Sequence, residues 1–210
     1  MVDMYYNPSA ASWKYNGPAS KPEVEQFHRS LPDYAITPLV SLPDVANGLG
    51  LGHVLLKDES NRLGLPAFKI LGASWGVYKA VATNCGLPLS STLVEVGAAA
   101  KKNGIHLVTC TEGNWGRALS RMAKYLQITA TIFVPDFMDK ATQQKIESEG
   151  AKVVVVDGDY DFSIKCAKEE AEKGGILIMD VSWEGYEEIP EVLCSSLSIK
   201  VWELTRAVGC

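Results

Sequence analysis

The chain has 210 residues, of which 47% are hydrophobic and 21% charged, a composition that excludes intrinsic disorder and allows one large domain or two small ones. A formal net charge of −5 leaves no basic footprint for nucleic acid. No apolar run approaches the roughly 20 residues of a membrane span, and Met1–Pro8 lacks the basic start and apolar stretch of a secretory signal, so the expected location is the cytoplasm, with neither nucleic acid nor membrane as partner.

Residues up to about Asn47 read as an irregular arm, punctuated by Pro8, Pro18, Pro22, Pro32, Pro38 and Pro43, with one short helix over Pro22 to Ser30. Gly48, Gly50 and Gly52 precede a strand instead of following one, which marks a turn and not a dinucleotide loop. Then strands and helices alternate. His53 to Lys57 reads as a short strand, and Lys57 to Arg62 as a solvated loop. Phe68 to about Thr83 reads as a helix and Ile105 to Thr109 as a buried strand. Asn114 to Leu126 is a helix, with Leu119, Met122, Ala123 and Leu126 on one face. Thr131 to Pro135 is a strand. Lys140 to Glu149 is a helix with Asp139 as cap and Gly150 as its stop. Val153 to Val156 is the clearest buried strand of the chain. Tyr160 to Lys173 is a helix, and Ile176 to Asp180 a last strand. Short turns between alternating elements predict an α/β fold with a mostly parallel, doubly wound sheet, and four apolar strands imply helices on both of its faces. After Pro190 the alternation weakens. The spans 1–66, 67–187 and 188–210 therefore read as an arm, an α/β unit and an atypical tail.

Five cysteines (85, 110, 166, 194 and 210) are widely spaced without a C-x-x-C, and His28, His53 and His106 cluster with nothing. This pattern suits reduced thiols and offers no metal site. The chemistry-bearing strings lie elsewhere. Lys69 sits between Phe68 and Ile70 at the start of a helix, where both the dipole and the apolar neighbours disfavour an ammonium. An imine escapes both penalties, so the placement suggests a Schiff-base lysine. Thr111-Glu112-Gly113-Asn114 follows a buried strand and opens a helix, the place where open α/β sheets bind anions such as carboxylates. Thr111 or Asn114 can equally serve as an ordinary N-cap there, and Glu112 is either a base or an acidic residue favoured by the dipole. Asp180 to Tyr186 follows the last strand with two aromatics that wall a pocket or simply pack.

Lys-Asp-Glu-Ser at 57–60, Ala-Phe-Lys-x-Leu-Gly-Ala at 67–73, Thr-Glu-Gly-Asn-x-Gly-Arg at 111–117 and Asp-x-x-Trp-Glu-Gly-Tyr at 180–186 together resemble, in that order, the diaminopropionate ammonia-lyases. These are a branch of the tryptophan synthase β-like, fold-type II pyridoxal-phosphate enzymes. Thr37-Pro38-Leu39 fits the family's entry into its first strand. The resemblance covers about Phe27 to Pro190 and implies a small domain with an incomplete large one. It implies pyridoxal 5'-phosphate on Lys69, Asn114 beside the cofactor's 3-oxygen, and Thr111, Gly113 and Asn114 around the carboxylate of a small amino acid. Lys69 and Glu112 would be the catalytic pair in ammonia elimination from 2,3-diaminopropionate, which ends as pyruvate. Glu112 and Trp115 depart from the family's usual aspartate and histidine. Family members run to about twice this length and pair as homodimers. The second half carries the glycine-rich phosphate cradle, so a truncated chain is expected, with the tail from Val192 outside the resemblance. The alternatives are an inactive fragment that binds a partner, or a related deaminase of the serine/threonine dehydratase type.

Overall fold

A computed structural model of the chain describes Ser12 and residues 21–197. Most of the proline-punctuated start (1–11 and 13–20) and the last part of the expected tail (198–210) lie outside the described residues. Helix α1 (Pro22–Ser30) is followed by β1 (Leu39–Ser41), α2 (Pro43–Leu49) and β2 (Leu55–Lys57). The two strands pair antiparallel in a sheet of their own. The stretch before Asn47 is thus not irregular: Pro43 opens α2 at a first-turn position, where its missing N–H costs nothing. This small unit leaves Ile36, Val40, Val45, Leu49, Leu51, Leu55 and Leu56 exposed.

The turn after β2 is not a solvated loop either. Arg62 is fully buried. Its Nε and Nη2 donate to Glu59, at 2.8 and 2.7 Å, and Nη2 also donates to Thr37 Oγ1 at 2.7 Å. Thr37 Oγ1 in turn donates to Glu59 at 2.8 Å. Burial opposes the Glu59 charge, but the bonds from Arg62 and Thr37 outweigh it and hold the carboxyl below its ordinary range.

A four-stranded parallel sheet forms the centre. Helices α3 (Lys69–Asn84) and α4 (Leu93–Lys102) lead into β3 (His106–Cys110), α5 (Asn114–Leu126), β4 (Thr129–Val134) and α6 (Lys140–Glu147). Then come β5 (Lys152–Val155), α7 (Tyr160–Ala171), β6 (Ile176–Leu177) and α8 (Glu188–Ser195). The strand order is β5-β4-β3-β6, with every pair parallel. The chain winds outward from β3 through β4 to β5, then returns through α7 to place β6 on the other side of β3. Leu107, Ile132 and Val134 join the core beneath α3 and α5, while Val108, Cys110 and Phe133 join a second core with Ala167 of α7. Both faces are covered, which makes the sheet doubly wound.

Three further details differ from the sequence reading. Helix α4 has no counterpart in it, although Thr92 and Glu95 form a reciprocal capping box at its start. Strand β5 is not the most buried: it lies at the sheet edge, with Val155 47% exposed. The weak stretch after Pro190 begins as a regular helix, α8, whose Leu193 is buried against α3. Gly72 and Gly76 make room for it, since a Cβ on Gly76 would run into the Leu193 side chain and one on Gly72 would lie 3.3 Å from the Leu193 carbonyl. The expected cap Asp139 behaves as such, accepting from Thr142 N at 2.9 Å; α6 ends earlier than expected, with Ser148 as its C-cap, and Gly150 follows at a φ of 97°. Asp159, not expected as a cap, accepts from Phe162 N at 2.9 Å at the start of α7. Among the described residues no helix is long and apolar enough to cross a membrane.

Candidate active site

Because β6 sits opposite β4 across β3, the chain diverges above the carboxyl ends of β3 and β6. Open α/β sheets bind ligands at such a switch point. A cleft of about 400 Å³ opens there, lined by Lys69, the run Thr111 to Trp115, Tyr160, Asp180 and Val181. All five site residues expected from sequence therefore share one cleft.

Lys69 is the first residue of α3. Its amine is not stranded among apolar groups. The side chain is 42% exposed, and Nζ donates to Asp180 Oδ2 at 2.7 Å. Ile70 turns into the core while Phe68 stays partly exposed, so the apolar flanks lie to either side of a solvated ion pair. Asp180 lies 111 positions from Lys69 in the chain, a separation no local motif reports. Asp180 is held from behind. The Tyr186 hydroxyl donates to Leu177 O at 2.9 Å and accepts from Met179 N at 3.0 Å, pinning the chain next to Asp180. Trp183 stacks on Tyr186 at 4.3 Å, and the Lys168 ammonium lies 3.7 Å from the Trp183 ring centre. These aromatics pack; neither lines the cleft. Burial pushes the Tyr186 phenol up to about 12, so it stays a donor throughout the ordinary pH range.

The N-cap of α5 is Gly113, not Thr111 or Asn114. Thr111 nevertheless does capping work from two residues upstream: its buried Oγ1 accepts from Gly113 N at 3.0 Å and from Gly116 N at 3.1 Å. Those bonds curl the loop and leave the first amides of α5 at the cleft, where the helix dipole favours an anion. Gly116 permits the tight approach, because a Cβ there would lie 2.5 Å from Thr111 Cγ2 and 3.2 Å from Ile132 Cγ2. Glu112 and Asn114 are exposed at the rim. Trp115 is only 3% exposed, and its Nε1–H donates to Thr109 Oγ1 at 2.9 Å, so its ring offers no free polar group. Below Tyr160 lies Cys110, whose thiol is pushed up to about 12, chiefly by burial, with the Asp180 and Glu112 charges adding to it. Burial, followed by the charges of Cys110 and Asp180, also raises the Tyr160 phenol.

Lys69, Trp115 and Asp180 also line a second, smaller cavity of about 150 Å³, walled otherwise by Phe68, Gly72, Leu193, Cys194 and Leu197. These three residues form the partition between the polar cleft and this apolar space.

Residues 31–203 match the family model of the pyridoxal-phosphate dependent enzymes. The chain is 37% identical over 190 residues to the diaminopropionate ammonia-lyase of Salmonella typhimurium, covering 88% of this chain and 47% of that protein. It is 33% identical over 166 residues to the Escherichia coli diaminopropionate ammonia-lyase, covering 79% and 42%. It therefore spans about half the length of the curated relatives it matches. The crystal structure of the Escherichia coli enzyme in apo form superposes with a TM-score of 0.81 at 30% identity, over 90% of this chain and 53% of that one. Another, in complex with an aminoacrylate-PLP azomethine intermediate, gives 0.79 over 90% and 48% at the same identity. Motifs, doubly wound sheet and switch-point cleft agree with these matches: the chain belongs to the pyridoxal-phosphate dependent enzyme family.

Proposed function

We propose that the cleft holds pyridoxal phosphate on Lys69 and serves ammonia elimination from 2,3-diaminopropionate, with pyruvate and two ammonia molecules as the final products. The observation that carries this reading is the Lys69–Asp180 pair in one cleft with Glu112 and the first turn of α5. The residues present fit the cofactor's ring end. A primary amine faces a cleft of about 400 Å³, within the range of roughly 300–1,000 Å³ usual for small-molecule sites. Asn114 stands at a helix N-terminus suited to a phenolate or carboxylate oxygen. When bound, the cofactor supplies the electron sink for charge left on the substrate's α-carbon.

The chain's own groups then have distinct tasks. Asp180 holds the Lys69 amine at the cleft through its 2.7 Å hydrogen bond and fixes its direction. Amides at the start of α5 receive the substrate carboxylate, with the Thr111 hydroxyl shaping the loop and not touching the substrate. Glu112 at the rim is the second base. Proton transfer by a placed group contributes roughly 10²–10⁴-fold. Lys69, Glu112 and Asp180 sum to one negative charge, which favours a substrate carrying an extra ammonium over a hydroxy amino acid. The matches to diaminopropionate ammonia-lyases support the same choice.

The test adds pyridoxal phosphate to the full chain and follows visible absorbance, with Lys69→Ala alongside. A Lys69-dependent band, together with pyruvate from 2,3-diaminopropionate in excess of that from serine and of 2-oxobutyrate from threonine, is the expected result. Folded protein without such a band overturns the cofactor reading. A band with faster turnover of serine or threonine overturns the substrate.

A further inference from the structure

The cavity behind the Lys69–Asp180 pair has no role in that scheme. Its walls, besides Lys69 and Asp180, are Phe68, Gly72, Trp115, Leu193, Cys194 and Leu197, contributed by α3 and the residue before it, α5, α8 and the turn after α8. Trp115 presents only ring carbons to it, since its one N–H is held by Thr109. The volume is about 150 Å³, and an aliphatic and aromatic cavity of about that size accommodates benzene. At one end stands the Lys69 amine, which also faces the polar cleft. An apolar ring seated here therefore has a nucleophilic nitrogen at its edge and a carboxylate 2.7 Å from that nitrogen.

We propose that this cavity is an apolar subsite of about benzene size and that, together with Lys69, it captures small aromatic aldehydes as imines. The inference rests on the reading of Lys69 as a Schiff-base lysine and extends it to carbonyl compounds without a phosphate. The ring enters between Phe68, Trp115 and Leu197. The Lys69 amine gives its extra proton to solvent and adds to the carbonyl carbon. Water leaves as the C=N bond forms, and the imine nitrogen takes a proton back from solvent, with the Asp180 carboxylate beside the resulting iminium charge. Atoms and charge balance without an oxidant or reductant.

The experiment treats the full chain, freed of pyridoxal phosphate with hydroxylamine and dialysis, with benzaldehyde or with glycolaldehyde, each with cyanoborohydride to reduce the imine to a stable amine, followed by digestion and mass spectrometry. Labelling at Lys69 is scored against the exposed Lys165 and Lys173 of the same molecule, which cancels the intrinsic reactivity of each aldehyde. Burial of a ring in the cavity makes the Lys69-to-surface ratio about tenfold higher for benzaldehyde than for glycolaldehyde. Benzyl alcohol, which carries the ring without the carbonyl, suppresses that excess. Leu197→Trp, which fills the cavity, and Phe68→Ala, which removes a partly exposed wall, each bring the two ratios together while leaving glycolaldehyde labelling unchanged. Equal ratios in the unaltered protein overturn the subsite and leave the Schiff-base lysine standing. Absence of labelling at Lys69 by both aldehydes overturns the Schiff-base reading itself. An excess that survives both substitutions and benzyl alcohol also overturns the subsite.

Discussion

Gly116→Ala separates two opposed effects at the head of α5. In an open helix the change stabilises, by at most about 1 kcal/mol, through lower backbone entropy in the unfolded chain and better helix propensity. At Gly116 the added methyl meets Thr111 Cγ2 at 2.5 Å and Ile132 Cγ2 and Ile146 Cδ1 at 3.2 Å each. Thr111 cannot swing away, because its Oγ1 is bonded to the amides of Gly113 and Gly116. Three close contacts from anchored side chains place the overpacking cost in the upper part of the usual span, about 2–3 kcal/mol. The net is a loss of about 1–2 kcal/mol, which lowers Tm by roughly 2–8 °C in a chain of this size. Thr111→Ser removes the offending methyl and keeps the hydroxyl, so in the double variant most of the loss returns, with a coupling energy of about 1 kcal/mol or more. Gly48→Ala in α2 is the internal control. A Cβ there meets nothing within 4 Å, and the variant is stabilised by about 0.5–1 kcal/mol. Urea unfolding followed by far-ultraviolet circular dichroism measures the unaltered protein, the two single variants, their double and Gly48→Ala. A Gly116→Ala variant as stable as Gly48→Ala, or a double variant no better than the single, refutes the packing of Thr111 against α5.

Three further outcomes follow from the polar contacts. Glu149 receives Arg121 Nε at 2.6 Å and Arg117 Nη2 at 3.1 Å. Burial opposes its charge, but the arginines win and hold its carboxyl below the ordinary 4.5. Stability from this group is complete above pH 4.5 and is lost as pH falls through the lowered folded value; Glu149→Gln removes that slope in acid unfolding curves, and an unchanged slope contradicts the assignment. Tyr186→Phe strands the Leu177 carbonyl and the Met179 amide, costing about 1–3 kcal/mol in urea unfolding, and it lowers the Lys69 label yield with either aldehyde because Asp180 is no longer pinned; an unchanged yield argues against that role. The thiol of Cys110, buried and pushed up to about 12, reacts with a disulfide reagent at pH 8 only on unfolding, whereas exposed Cys194 reacts at once; early loss of both thiols would contradict the buried placement.

Strands β3 and β4 and helices α3, α5 and α7 were legible from sequence because apolar periodicity reports burial directly. Periodicity does not report a strand's rank in the sheet, which is why Val153 to Val156 read as the clearest buried strand when β5 is an edge. Helix α4 carried its signal in Thr92-x-x-Glu95, but its inner face is only Val96, Gly97 and Ala100, too small for an apolar stripe. The Thr111–Asn114 turn was legible as the junction that lines the cleft, since it follows a buried strand at the carboxyl edge of the sheet. Its N-cap was not: Thr111 reaches the helix amides from outside the usual cap position, a geometry no propensity encodes. Lys69 stood out in the sequence through its apolar neighbours, but its carboxylate partner did not, because Asp180 lies 111 positions away and no local pattern links the two.

That distance has a consequence for assembly. Lys69 precedes the parallel sheet in the chain and Asp180 follows it, so the pair joins only once β6 has docked on β3, with β4 and β5 lying between them in sequence. The cleft is the closing stitch of the fold, formed late in a topology rich in non-local pairing. Any molecule that binds both walls recognises only the finished sheet and stabilises it by mass action. Ligand occupancy should therefore slow amide exchange in β3 and β4 as strongly as at the cleft itself, although neither strand's interior touches the ligand.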